Sequence, residues 1–153
     1  MRVLIVNQCF YPDVAATGQY AADLACELVR RGHEVVVLAS QRAYDDPRLR
    51  FAKTDLWRAI RIRRIPCTGY GKGARWRRAA DFATFYAGCV WQLLSMPRFD
   101  AVVAMTTPPL ISFLAALFVR LRGGALHVWL MDRTRTRLWR RGGCETGRRL
   151  CGC

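Results

Sequence analysis

Residues 3–7, Val-Leu-Ile-Val-Asn, and residues 34–39, Glu-Val-Val-Val-Leu-Ala, bracket a stretch with a different period, and this arrangement decides the fold. Each run is short, β-branched and apolar without alternation, which marks a strand covered on both faces. Pro12-Asp13 breaks the loop that follows the first run, and Gly18 stands at the loop's end. From 19 to 31 the apolar residues fall into rows instead. Tyr20, Leu24 and Leu28 make one i, i+4 row and Ala21, Ala25 and Val29 its neighbour, while Asp23, Glu27, Arg30 and Arg31 lie off the rows or at the end. That spacing predicts an amphipathic helix of about three and a half turns. Gly32 is placed to take the left-handed position that closes it. Two doubly buried strands joined by a helix form a right-handed βαβ unit of a parallel sheet.

Working outward, residues 41–56 read as a polar connection. Ile60 and Ile62 then alternate with Arg61 and Arg63 up to Ile65, predicting a half-exposed strand near a sheet edge. Gly69, Gly71 and Gly73 mark a loop. A helix is expected over 79–95, stopped by Pro97, with Phe82, Phe85, Tyr86, Val90, Trp91 and Leu94 in the core or facing a membrane, the core for most of them. Residues 101–105 read as a further buried strand, Thr106-Thr107-Pro108-Pro109 as its stop, 110–122 as a helix ended by Gly123-Gly124, and 125–131 as a last strand. The uncharged run 101–119 is long enough to suggest a membrane span, but the Thr-Thr-Pro-Pro break favours strand, turn and helix. The expected fold class is α/β, a Rossmann-like parallel sheet with flanking helices over residues 1–132.

The chain carries 25 basic and 11 acidic residues for a net charge of +14, and all but two of the cations are arginine. The charge is concentrated in 42–78 and 133–153, and the remainder is close to neutral. Such concentration suits an anionic partner or a solvated arginine-rich surface. Residues 133–153 are almost devoid of aliphatics and lack either period; they read as a frame-shifted or disordered tail, or as a genuine basic tail. Cys9, Cys26, Cys67 and Cys89 are scattered, and Cys144, Cys151 and Cys153 crowd the end. There is no CxxC pair and the two histidines, His33 and His127, are far apart, so no metal site is expected. The apolar run after Arg2 is too short for an export leader, and reduced thiols are expected.

Met1 to Asp13, Ala16-Thr17-Gly18-Gln19, Arg30-Arg-Gly-His-Glu-Val35, the stretch Phe99-Asp-Ala-Val-Val-Ala-Met-Thr-Thr-Pro-Pro-Leu110 and Val128-Trp-Leu-Met-Asp132 occur in order. Together they resemble the N-terminal half of a family 4 retaining glycosyltransferase, particularly the bacterial members that make surface polysaccharide. The resemblance implies half of a GT-B fold, whose N-terminal lobe receives the acceptor and whose other lobe holds a nucleotide-sugar donor. It implies no metal or other cofactor, with the leaving diphosphate stabilised by basic side chains and helix N-termini. The donor-binding residues of that family have no counterpart in 133–153, so this chain alone is expected not to transfer sugar; the strand and helix that close the first lobe are also expected to be missing, leaving a sheet edge and apolar helix faces uncovered, with marginal solubility or self-association. A cytoplasmic location is implied, with a lipid-linked or glycan acceptor and peripheral attachment at the inner membrane face.

Ligands of open α/β sheets sit beyond the carboxyl ends of the strands. The candidate substrate-binding residues there are Thr17, Gly18, Thr106 and Thr107. Gly18 either lets backbone approach a phosphate at a helix N-terminus or relieves a tight turn; Thr17 either donates a hydroxyl or caps the helix. Asp132 is the candidate catalytic residue by the resemblance, and otherwise caps a following helix. There is no GxGxxG, so a dinucleotide fingerprint is absent. Arginines of 42–78, with Trp57, Tyr70 and Trp76, are expected to meet an anionic membrane surface. The alternative reading is a small basic α/β protein that binds anionic lipid or nucleic acid through its arginine-rich segments, although nothing outside the tail favours nucleic acid.

Overall fold

A computed structural model describes residues 1–44, 46, 48–68, 75–106 and 110–130. Its elements run β1 (Arg2–Val6), α1 (Ala16–Arg30), β2 (Glu34–Ser40), β3 (Thr54–Trp57), β4 (Ile60–Ile65), α2 (Arg75–Ser95), β5 (Ala101–Met105), α3 (Ile111–Arg122) and β6 (Ala125–Trp129). The six strands form one sheet in the order β3-β4-β2-β1-β5-β6. All neighbours are parallel except β3 and β4. This is the α/β, Rossmann-like arrangement expected from the opening βαβ unit.

The doubly apolar strands are buried on both sides because helices lie on both faces. Leu4, Val6, Val36, Leu38 and Ile65 share a core with Phe85, Cys89 and Leu93 of α2 and with Ile111, Ala115 and Phe118 of α3. Ile5, Val35, Val37, Ile60 and Ile62 share the opposite core with Ala21, Ala22 and Ala25 of α1. Small side chains let α1 lie close to the sheet, and its deepest row is the alanine row. Tyr20, expected inward, is exposed. A Schellman motif closes α1, with Gly32 N–H donating to the Val29 carbonyl, His33 N–H to that of Leu28, and Gly32 at φ +81°. The thiol of Cys89 is pushed up well above the ordinary range by burial.

Three expectations need correction. Residues 41–56 are more than a polar connection: their end forms β3, which pairs antiparallel with β4 and takes the edge position itself. The hairpin turn is Arg58-Ala59, at φ 49° and 64°. Two left-handed residues are what a type I′ turn needs, and neither is the usual Asn or Gly. Trp57 supports the turn, lying 5.0 Å from the Arg58 guanidinium and stacked on Tyr11 at 4.3 Å. Second, α2 begins at Arg75, and Val90, Trp91 and Leu94 lie outside the core on its solvent side. Third, β6 ends at Trp129 and is largely exposed, because no further strand lies beside it among the described residues. The stretch 101–119 is β5 followed by α3 where it is described, and no helix among the described residues is long and apolar enough to cross a membrane.

Candidate functional site

The chain leaves β1 in one direction, through α1 to β2, and arrives at β5 from the other, so the crevice between β1 and β5 is the topological switch point of the sheet. Just beyond β1, Asn7 and Gln8 still run beside β2. Asn7 N–H donates to the Leu38 carbonyl at 3.1 Å, and Gln8 accepts from Ser40 N–H at 2.8 Å. The β1–β5 register pairs Val6 with Ala104, so Asn7 and Gln8 follow β1, and Thr106 follows β5, at the same end of the sheet.

Asn7 is fully buried, and its Nδ2 donates to the carbonyls of Cys9 at 2.6 Å and Thr17 at 3.3 Å, tying the loop to the first turn of α1. Asn7 Oδ1, Gln8 Oε1 and Thr106 Oγ1 are buried without a hydrogen-bond partner among the described residues. An unsatisfied buried polar atom costs about 1–3 kcal/mol. All three lie just past the carboxyl ends of β1 and β5, where ligands of open α/β sheets sit. Sequence reasoning named Thr106 but passed over the two amides. The signal available was their position, polar side chains directly abutting a fully apolar strand at its carboxyl end.

Thr17 and Gly18 lie in the first turn of α1, which begins at Ala16 after an Ala15 N-cap that supplies no side-chain bond. Thr17 is thus not the cap, and its carbonyl holds Asn7. Gly18 is buried, its N–H donates to the Ala15 carbonyl at 2.8 Å, and a Cβ there would meet the Cys9 carbonyl carbon at 3.3 Å. The glycine admits the loop backbone against the helix. Beside it opens a cavity of about 370 Å³ lined by Tyr11, Asp13, Gly18, Gln19, Asp23 and Trp57. Asp13, nearly buried, accepts from Tyr44 N–H at 3.0 Å. Thr107 and Asp132 fall outside the described residues; of the five candidates, Thr17 and Gly18 lie in the first turn of α1 and Thr106 at the end of β5.

The basic stretch 42–78 is only partly outward. Arg64 is buried: its Nη2 donates to the Tyr11 carbonyl at 2.6 Å, Asp55 lies 3.5 Å from Nη1, and Phe51 lies under the guanidinium. Burial draws its pKa down and Asp55 opposes that shift. Arg61 pairs with Glu34, and Trp57 is committed to Tyr11 and Phe10. Trp76 is exposed, while Tyr70 lies outside the described residues. At the carboxyl ends of β2 and β4, Arg42, Arg50, Thr68 and Thr84 line a further cavity of about 310 Å³.

The family model described as a glycosyl transferase 4-like domain matches residues 16–150, from the start of α1 past residue 132 into the arginine-rich end. No curated protein matches the chain.

Proposed function

Since the chain belongs to the glycosyl transferase 4-like domain family, and so has a glycosyltransferase-type function with a sugar donor and an acceptor as partners, we propose that its lobe is the acceptor side of a retaining enzyme of polysaccharide biosynthesis. On this reading a nucleotide-sugar is bound by a second lobe across the cleft, and a glycan or lipid-linked acceptor enters at the β1–β5 crevice. The observation that carries the proposal is the set of unpartnered acceptors, Asn7 Oδ1 and Gln8 Oε1, with the Thr106 hydroxyl, at the switch point. These groups suit neutral hydroxyl donors, and Gln19, Asp13 and Asp23 offer the same chemistry in the cavity beside Gly18. Thr107 is proposed to extend the crevice beyond Thr106, and Asp132 to supply a carboxylate near the reacting sugar. On this reading transfer needs both walls of the cleft and the described residues form one of them, a lobe that binds acceptor without turning over donor.

A glycan array probed with the purified chain tests this. Retention of a saccharide set that is lost on Thr106→Val, which removes a hydroxyl and keeps the shape, is the expected result. A chain that retains no glycan, or whose retention is unchanged by the substitution, overturns the acceptor assignment. Incubation with radiolabelled nucleotide-sugars is expected to give no transfer above background, and turnover would overturn the division into two lobes. Reading the coding DNA beyond codon 132 in all three frames decides whether residues 133–153 continue the domain or leave its frame.

A further inference from the structure

The β3–β4 hairpin brings an aromatic assembly to the start of α1. A type I′ turn is ordinarily Asn and Gly, but its first left-handed residue here is Arg58, at φ 49°. Trp57 and Arg58 face Gln19 and Asp23 of α1 across the cavity of about 370 Å³ that Tyr11 and Asp13 also line. Small-molecule sites span roughly 300–1,000 Å³, so the space admits a ligand of that kind. Trp57 is half-buried, edge-on to Phe10 at 6.3 Å and stacked on Tyr11 at 4.3 Å with the rings 16° apart. The Arg58 guanidinium lies over the Trp57 ring at 5.0 Å. Tyr11 is the ring that keeps open surface, and it is 45% exposed. Asp23 is exposed on α1 and has no ion-pair partner among the described residues. Gln19 uses its Nε2, on the Val14 carbonyl at 3.4 Å, and keeps Oε1 for another donor. Asp13 takes part in holding the loop, accepting from Tyr44 N–H at 3.0 Å.

We infer that this cavity is a saccharide subsite: one neutral pyranose unit of the acceptor lies on the Tyr11 ring and donates its hydroxyls to Asp23 and to Gln19 Oε1, so that the acceptor has at least two units. A pyranose has the two-sided character of the cavity. Its axial C–H groups make an apolar face that suits an aromatic ring, and its rim of hydroxyls suits a carboxylate and an amide oxygen. Because Trp57 backs the Tyr11 ring, the platform is in place before a ligand arrives, which lowers the ordering cost of binding. Two carboxylates, Asp13 and Asp23, stand against one guanidinium already engaged by an indole. That balance disfavours an acidic sugar or a phosphate and selects a neutral unit. The subsite deepens the acceptor reading and rests on it for the identity of the ligand. One loop serves both places: Asn7 and Gln8 begin it, Tyr11 and Asp13 lie within it, and Asn7 Nδ2 ties its far end at the Thr17 carbonyl.

The full chain, titrated on an array of mono-, di- and trisaccharides of hexoses, N-acetylhexosamines and deoxyhexoses with their uronate-bearing counterparts, tests this. The longer saccharides of one series are expected to bind about three- to tenfold tighter than the matching monosaccharide, and the uronates more weakly than the neutral forms. Tyr11→Ala and Asp23→Ala are each expected to remove most of that advantage of length. Tyr11→Phe keeps the ring and is expected to keep the advantage. Trp91→Ala takes an exposed aromatic from the opposite side of the sheet and leaves binding as it is. Asp23 is exposed, so its variant does not disturb the core, and far-UV circular dichroism confirms that each variant is folded. The subsite is overturned if no saccharide is bound, if length brings no advantage, if either Tyr11→Ala or Asp23→Ala leaves the advantage whole, or if Trp91→Ala loses as much. Binding lost on Thr106→Val but indifferent to Tyr11→Ala and Asp23→Ala removes the subsite and leaves the crevice. The reverse pattern keeps the cavity as a saccharide site and removes the crevice.

Discussion

Helices α1 and α3 each join two parallel strands and each lay one side on the sheet, yet their outer sides are opposites. The inner row of α1 is alanine, and its outer side carries Asp23, Glu27, Arg30 and Arg31, with Glu27 paired to both arginines at 2.7 Å. The inner row of α3 is Ile111, Ala115 and Phe118, and its outer side is phenylalanine and leucine. The strands dictate only the inward half of a covering helix. The outward half is set independently of them: charged on α1, apolar on α3.

The largest effect that sharpens this contrast is expected from Phe118→Ala, which opens a void where α3 meets Phe99 at a ring separation of 6.3 Å. A loss of about 3–5 kcal/mol is expected in urea unfolding. A loss below about 1 kcal/mol would mean that α3 is held by something other than its inner row. Ala25→Leu attacks α1 in the opposite sense, forcing bulk into a contact with no exposed surface. Overpacking should cost about 1–3 kcal/mol by the same measurement. At the start of α1, Gly18→Ala presses a methyl against Cys9 but gains helix propensity of about 1 kcal/mol, and the net loss is expected to stay below about 1 kcal/mol. The smallest effect concerns the outer side of α1. Hydrogen bonds from Arg31 and Arg30 hold the Glu27 carboxyl below its ordinary pKa, so its contribution is present above the unfolded-state value and is lost as pH falls through the folded one. Urea midpoints measured between neutral and acid pH should show a slightly weaker pH dependence in Glu27→Gln; an unchanged profile would mean that the pairs contribute nothing.

How much was legible follows the same division between local and non-local causes. The βαβ unit was readable because Val3 to Val6 and Val35 to Ala39 announce double burial, and because the 19–31 rows differ in period from both. The β3–β4 hairpin was not, since its turn is Arg58-Ala59, and what holds two side-chain-bearing residues at positive φ is Trp57 with its distant partner Tyr11. Arg64 falls on the Ile60 and Ile62 side of the strand by alternation, but what accepts a buried guanidinium there is the Tyr11 carbonyl, 53 positions away in sequence. At the site, the strand-end rule reached Thr17, Gly18 and Thr106. It passed over Asn7 and Gln8, because whether an amide oxygen is left unbonded is settled only when helix, loop and neighbouring strand have all arrived.

The two margins of the sheet differ in a way that bears on assembly. At one margin the strand 54–57 runs against its neighbour, is only four residues long, and is flanked by Lys53 and Arg58 with Asp55 within it. At the other, the strand 125–129 contains no Asp, Glu, Lys or Arg and has no further strand beside it among the described residues. Lateral extension is therefore one-sided: any additional strand, from wherever it comes, is steered to the 125–129 margin, while the opposite hairpin acts as a stop.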